Sequence, residues 1–306
     1  MDLRGERILV TGATGQLGRY VCSAGSLTGG EIIRLARREG AGADVACDLA
    51  DREQTLTAVS IAEPTVIIHA AACTDVDGIE REPARGEIDN RHATENIANA
   101  ARACGAYLVA VSTDMVFPGD GGAPYSERAK TAPISAYGRS KRAAEEAIQS
   151  IDPSFAIVRT AWLYGGAGKH FPRTVLTVLR DRGSIEVVND EFGSPTFAGD
   201  LAWALLHLAN RRGGGVFHLI NEGRASRFDL AAATAVAAGL DPSSVKPIDT
   251  PGFLAKYPLP ARRPADSTLL NGRASELGIT LRGWRDAVRE YVPSLAAEIL
   301  NRPETR

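Results

Sequence analysis

A strand-like Ile8-Leu9-Val10 runs straight into Gly12-Ala-Thr-Gly15-Gln-Leu-Gly18, and residues 16–27 then carry the pattern of a helix. No other feature constrains the fold as much. Glycines permit a tight turn, and the first amides of a helix have no partner within it, so a strand, a glycine turn and a helix in this order form a cradle for phosphate. A plain glycine-rich loop is the alternative, and the position between strand and helix favours a dinucleotide. Short apolar runs at 32–36, 66–70, 108–112 and 155–159 follow, separated by helical patterns at 51–62, 88–104 and 134–150. Such alternation predicts an α/β fold, a doubly wound parallel sheet covered by helices on both faces.

Beyond Trp162 the pattern loosens. A glycine-rich 165–168 precedes a helix near 171–182, a strand at 184–188 and a Gly-Ser-Pro-Thr turn at 193–196. A helix at 198–210, a strand at 216–220, a helix at 226–239, a proline-rich stretch at 242–264 and an amphipathic helix at 283–299 complete the chain. Residues 1–160 plus about 198–220 read as a dinucleotide-binding Rossmann domain, and about 161–197 and 221–306 as a smaller C-terminal substrate lobe. The final helix is expected to pack internally, with a homodimer left open, and 301–306 read as a frayed tail.

The bulk numbers exclude several classes. With 306 residues, 44% hydrophobic and 24% charged, the chain can bury a substantial core. Its net charge of −2, with no long run of one sign, argues against nucleic acid and against a polybasic membrane patch as partners. No apolar run approaches the roughly 18 residues that would span a bilayer, and Arg4, Glu6 and Arg7 lead directly into the first strand where a secretory leader would need an apolar core. Cys22, Cys47, Cys73 and Cys104 stand far apart, without the spacing of a zinc site or a disulfide framework, so a cytoplasmic location is expected.

The chemistry is concentrated in Tyr137-Gly-Arg-Ser-Lys141. On a helix, residues four apart share a face, so the Lys141 ammonium is expected beside the Tyr137 phenol, lowering its pKa from about 10 and making it a proton donor near neutral pH. Thr113 ends the apolar run 108–112, and ligands gather outside the carboxyl ends of parallel strands, so its hydroxyl is placed to polarise a carbonyl. After the second strand come Arg37 and Arg38, where an acidic residue would accept from an adenosine ribose. Arginine suits a 2′-phosphate, so NADPH is preferred and NADH remains possible. Asp48 and Leu49 are candidates to edge the adenine, with Asp48 alternatively a helix cap for 51–62.

These residues resemble, in order and spacing, the extended short-chain dehydrogenase/reductases, and within them the reductases of nucleotide-linked 4-keto-6-deoxyhexoses. The likeness is carried by Gly12-x-x-Gly15-x-x-Gly18, Ala70-Ala71-Ala72-Cys73-Thr74-Asp75-Val76-Asp77, Ser112-Thr113-Asp114-Met115-Val116-Phe117 and the Tyr137–Lys141 pair. It continues in Arg159-Thr160-Ala161-Trp162-Leu163-Tyr164-Gly165, Phe192-Gly193-Ser194-Pro195-Thr196 and Pro260-Ala261-Arg262-Arg263-Pro264. The resemblance implies hydride delivery from NAD(P)H to the C4 ketone of a sugar nucleotide, a dTDP-linked one expected, in rhamnose or related deoxysugar biosynthesis. Thr113, Tyr137 and Lys141 would be catalytic, Lys141 also holding the nicotinamide ribose. Gly12, Thr14, Gly15, Gln16, Leu17, Ala70, Ala71 and Ala72 would contact the cofactor. Thr74, Val76, Asp114, Met115 and Trp162 would line the sugar, and Arg263 would meet the phosphates, with Arg262 as a weaker candidate.

Met115 departs from the resemblance, since the family commonly has a tyrosine there. A thioether cannot donate a hydrogen bond, which makes the sugar wall softer and more apolar. The lack of an acid at 115 argues against the related dehydratases and epimerases, and Cys73 reads as packing. A non-catalytic subunit resembling the accessory subunit of methionine adenosyltransferase is the remaining alternative. His69 is read as a satisfied core residue, and no metal is predicted.

Overall fold

Ile and Val dominate the early apolar runs, and such residues buried on both faces favour central parallel strands. The computed structural model describes residues 1–40 and 42–300, so 301–306, read above as a tail, lie outside the described residues. The first half runs β1 (Arg7–Thr11), α1 (Gln16–Leu27), β2 (Glu31–Ala36), β3 (Val45–Ala46), α2 (Arg52–Ala62), β4 (Val66–His69), α3 (Val76–Arg81) and α4 (Pro83–Gly86). It continues through a π-helix (Glu87–His92), α5 (Ala93–Cys104), β5 (Tyr107–Thr113), α6 (Ala136–Ile151) and β6 (Ala156–Thr160). The second half holds β7 (Leu163–Tyr164), α7 (Phe171–Arg182), β8 (Ile185–Val188), β9 (Phe192–Gly193), β10 (Thr196–Phe197), α8 (Ala198–Arg211) and β11 (Gly215–His218). Last come β12 (Ala225–Ser226), α9 (Arg227–Ala237), β13 (Val245–Ile248), α10 (Thr250–Lys256), α11 (Gly272–Glu276) and α12 (Trp284–Leu300).

Seven strands form one parallel sheet in the order β11-β6-β5-β4-β1-β2-β3. The chain starts at β1, winds outward through β2 and β3, and then crosses to β4 on the other side, so the turn after β1 sits where the winding reverses. Open α/β sheets bind ligands at this point. Register aligns Thr11 with His69 and Thr113 with Thr160, which brings the carboxyl ends of β1, β4, β5 and β6 to one edge. The sheet's interior is dry: Ile8, Leu9, Val10, Ile67, Ile68, Leu108, Val109, Ile157 and Val158 are fully buried, each stabilising by about 1.5–3 kcal/mol.

A second core gathers Tyr164, Leu176, Leu230, Trp284, Val288, Val292 and Leu295 in the second half of the chain, so α12 buries its apolar face internally. Ala274, Ile279 and Leu281, far along the chain, join the core of the main sheet. The proline-rich 242–264 is more ordered than its composition suggests. It contributes β13, paired in parallel with β8, and α10, capped by the Asp249 carboxylate accepting from the Gly252 amide at 2.9 Å. Pro247 is tolerated because β13 has only β8 as a neighbour, leaving an edge with no ladder donor required. The cap of α2 is Asp51, whose carboxylate accepts from the amides of Glu53 and Gln54 at 3.0 Å, so Asp48 is not the helix cap it was weighed as.

Candidate active site

The glycine turn is enforced by close approach. Gly12 has φ +64°, and a Cβ there would lie 2.8 Å from the Ala71 Cα, while one on Gly18 would lie 2.2 Å from the Gly12 carbonyl oxygen. Side chains are thus excluded where β1, α1 and the segment after β4 meet. No side chain caps α1, so its leading amides face outward. A groove of about 800 Å³ runs from Gly12, Thr14 and Gly15 past Arg37, Arg38 and Leu49, with Ala70, Ala71 and Ala72 as its other wall. Asp48 is not on that wall. Its carboxylate accepts from the Ala50 amide at 3.2 Å and lies 3.9 Å from Arg37. Arg37 donates to Asp89 at 2.8 Å, and Arg85 approaches the same carboxylate at 3.6 Å.

An adjoining cavity of about 490 Å³ is lined by Gly15, Gln16, Leu17, Ala70 and Ala72 at one end. Thr113, Tyr137 and Lys141 stand in its middle, and Thr74, Val76, Asp114, Met115, Trp162 and Arg263 also border it. The helix carrying the Tyr/Lys pair begins at Ser135, whose hydroxyl accepts from the Gly138 amide at 3.1 Å. A Cβ at Gly138 would come within 2.3 Å of the Met115 carbonyl oxygen, so α6 lies directly against the turn after β5. Thr113 ends β5. Its hydroxyl accepts from the Met115 amide at 3.2 Å and donates to Asp114 at 3.1 Å, and Asp114 also accepts from the Ser267 hydroxyl.

Tyr137 and Lys141 share the buried face of α6, but their electrostatics differ from the expectation drawn from spacing. The Lys141 ammonium donates to the Val111 carbonyl at 2.8 Å, and burial pushes its pKa down to about 8 against the opposing charge of Glu145. Burial drives the Tyr137 pKa up, the Asp114 charge adds to that, and a hydrogen bond with Thr113 only partly opposes it. The phenol is therefore a weaker acid here than in water, not a stronger one. Burial also raises Asp114, with Ser267, Thr113 and the charge of Arg227 pulling the other way.

Behind the site lies a buried ion pair that spacing alone does not reveal. Arg159 donates to Glu145 at 2.8 and 2.7 Å, and Ser112 donates to the same carboxylate at 2.6 Å. His69 is buried with both ring nitrogens partnered, 2.7 Å from Thr11 and 3.0 Å from Thr94, and desolvation holds its pKa down to about 3. Cys73 is half-buried against the cluster of Ile79, Ala136 and Tyr137. Among the described residues, no group of three or more His, Cys, Asp or Glu is arranged to hold a metal ion.

Arg263 makes two 2.7 Å hydrogen bonds to Asp77, tying the segment after α10 to α3. Arg227, Glu191, Lys169 and Ser267 also line the cavity and were not anticipated. The capping box Ser226/Asp229 marks where α9 starts, but nothing in that signal says which way the Arg227 that follows will face. Arg227, Glu191 and Arg263 also border a second groove of about 910 Å³, where Phe171, Val187, Phe253, Leu254 and Tyr257 supply apolar walls and Arg262 a charged rim.

The arrangement brings two hydroxyls, those of Thr113 and Tyr137, to a space that opens toward the glycine cradle on one side and a mixed polar cleft on the other. Known proteins of similar sequence and structure share the architecture. The family model for the RmlD substrate binding domain matches residues 6–297. A dTDP-4-dehydrorhamnose reductase of Mycolicibacterium smegmatis is 37% identical, over 99% of this chain and 90% of that protein. A probable dTDP-4,6-dihydroxy-2-methyloxan-3-one 4-ketoreductase of Streptomyces antibioticus is 39% identical over 98% of each. The structure of dTDP-4-dehydrorhamnose reductase from Bacillus anthracis in complex with NADP superimposes with a TM-score of 0.86 at 31% identity, covering 95% of this chain and 99% of that one. A match along nearly the whole length, in sequence and in fold alike, means that this chain belongs to the RmlD family, the dTDP-4-dehydrorhamnose reductases of the short-chain dehydrogenase/reductase superfamily.

Proposed function

We infer that the protein reduces the C4 ketone of a dTDP-linked 4-keto-6-deoxyhexose with NADPH, NADH serving as a weaker donor, in deoxysugar biosynthesis. The observation that carries this reading is the single cavity in which Thr113, Tyr137 and Lys141 stand between the glycine cradle and the sugar-lining residues. The cradle suits a dinucleotide, because Gly12 and Gly18 let β1, α1 and the segment after β4 meet closely enough to form the tight turn that borders the groove, and the Arg37/Arg38 rim suits a 2′-phosphate. NADPH bound there supplies the hydride. Tyr137 donates its proton to the developing alkoxide oxygen, and the Thr113 hydroxyl, whose proton points to Asp114 without ligand, turns it to that same oxygen as charge forms. A raised phenol pKa keeps the proton in place at every physiological pH, and an alkoxide is a strong enough base to take it. Lys141, anchored on Val111, orients the cofactor ribose, while Met115 and Trp162 wall the sugar ring.

Residues 1–160 with about 198–220 bind the cofactor in this reading, and the remainder forms the substrate side. Among the described residues no helix is long and apolar enough to cross a membrane. All four cysteines are free, which fits a reducing cytoplasm. The test is direct: with dTDP-4-dehydrorhamnose present, absorbance at the nicotinamide band should fall, and Tyr137→Phe should lower kcat by about 10²–10⁴-fold. Absence of NADPH oxidation with this and related keto sugars sinks the reading.

A further inference from the structure

Arg227 is the first residue of α9, fixed there by the reciprocal Ser226/Asp229 cap, in which both bonds measure 2.9 Å. Its guanidinium carbon sits over the Trp162 ring, 3.6 Å from the centroid, with Phe171 at 5.5 Å. Only 27% of the side chain is exposed, yet among the described residues its guanidinium donates no hydrogen bond. The nearest carboxylate, Glu191, is 3.9 Å away, an ion pair beyond hydrogen-bonding reach. Other guanidinium groups in this molecule do find protein acceptors: Arg263 on Asp77 and Ala261, Arg273 on the Val216 and Gly214 carbonyls. The Arg227 guanidinium borders the open cleft and is not among the buried groups left without a partner, so an anion entering the cleft can take its free donors in place of solvent.

The position says what that is. Arg227, Glu191 and Arg263 border both the catalytic cavity and the apolar groove. A keto sugar beside Tyr137 and a nucleoside among Phe253, Leu254 and Tyr257 leave the linking diphosphate at that shared border. We propose that Arg227 is the diphosphate-binding, specificity-determining residue, and that Glu191 is a resident counter-anion which balances Arg227 in the ligand-free protein and is displaced from it by the phosphates. This rests on the sugar-nucleotide reading above. Contact with the Trp162 ring holds the guanidinium in the cleft, where its fork of donors can meet phosphate oxygens. The carboxylate of Glu191, only 18% exposed, keeps the cation paired until a ligand arrives.

Calorimetric titration of the NADPH-loaded protein with dTDP tests this. Arg227→Met keeps an apolar stem over Trp162 and removes the charge, and should weaken dTDP binding by about 10–100-fold, with NADPH affinity unchanged and with partial rescue by Arg227→Lys. Glu191→Gln removes the competitor and should tighten dTDP binding several-fold. Unchanged dTDP affinity in Arg227→Met, no rescue by lysine, or weaker dTDP binding in Glu191→Gln each overturns the proposal while leaving the reductase reading intact. Wild-type protein that binds no nucleoside diphosphate overturns both.

Discussion

The two walls of the cleft are built differently. On the cofactor side the shape is made by backbone: Gly12 lies against Ala71, Gly18 against the Gly12 carbonyl, and the strands beneath are aliphatic and dry. On the substrate side the shape is made by charged side chains drawn from remote segments, with Asp77 reaching Arg263, Glu191 facing Arg227, and Arg224 on Asp266. In the proposed reading, one wall would receive a ligand by leaving room for it, the other by offering charge. Steric fit tolerates little change in sequence, whereas a charged wall can be rewired one pair at a time.

The largest effect should come from the buried pair behind the cofactor wall. Arg159→Met takes both short guanidinium bonds from the Glu145 carboxylate and leaves it Ser112 and the more distant Arg142, and denaturant midpoints should report a loss of about 3 kcal/mol, much of it recovered by adding Glu145→Leu. A smaller cost would mean that this side is held by less than its packing and pairing suggest. Lys141 gives the next test. Its pKa is about 8 in the folded chain against about 10.5 unfolded, so the folded state binds fewer protons between those values and stability must rise with pH across that window. In the cofactor-free protein the melting difference between Lys141→Met and wild type should therefore favour the variant most below pH 8 and shrink toward pH 10.5, a swing on the order of 3 kcal/mol. A difference that stays flat with pH contradicts the burial of a charged ammonium.

Gly18→Ala probes steric fit alone. Overpacking at the Gly12 carbonyl should cost about 1–3 kcal/mol and weaken NADPH binding, measured by fluorescence titration, while leaving dTDP binding in place. The smallest effect belongs to the charged wall. The Arg263 guanidinium holds the Asp77 carboxyl below the usual carboxylate range, so the bridge stabilises above about pH 4 and is lost as pH falls through that lowered value. Asp77→Asn should cost about 1 kcal/mol or less near neutrality, and the gap should narrow in molar salt. A salt-insensitive gap would place the bridge with the packed wall and blur the contrast.

The same contrast explains what could be read in advance. Runs such as Ile67-Ile68 and Leu108-Val109 announce buried parallel strands because nothing else satisfies them, and a four-residue spacing places Tyr137 and Lys141 on one helix face whatever surrounds it. Their charges were misread because the deciding neighbours are tertiary: the Val111 carbonyl takes the ammonium, and Asp114, one residue beyond the strand, pushes the phenol upward. Arg227 escaped notice for a related reason. Its partners Trp162, Phe171 and Glu191 come from three separate segments, and a lone arginine after a helix cap looks like any solvated charge. The strand at Val245–Ile248 was hidden by Pro247, which forbids a central strand but not an edge.

The amide of Met115, not its side chain, fixes the Thr113 hydroxyl. Every residue except proline presents the same amide, so the Met115 thioether on the cavity wall can be exchanged without disturbing the hydroxyl that, in the proposed mechanism, meets the ketone. Selection can then retune which sugar is accepted through single substitutions at this position while the reaction itself is inherited unchanged, and descendants of one reductase can diverge in product without first losing activity.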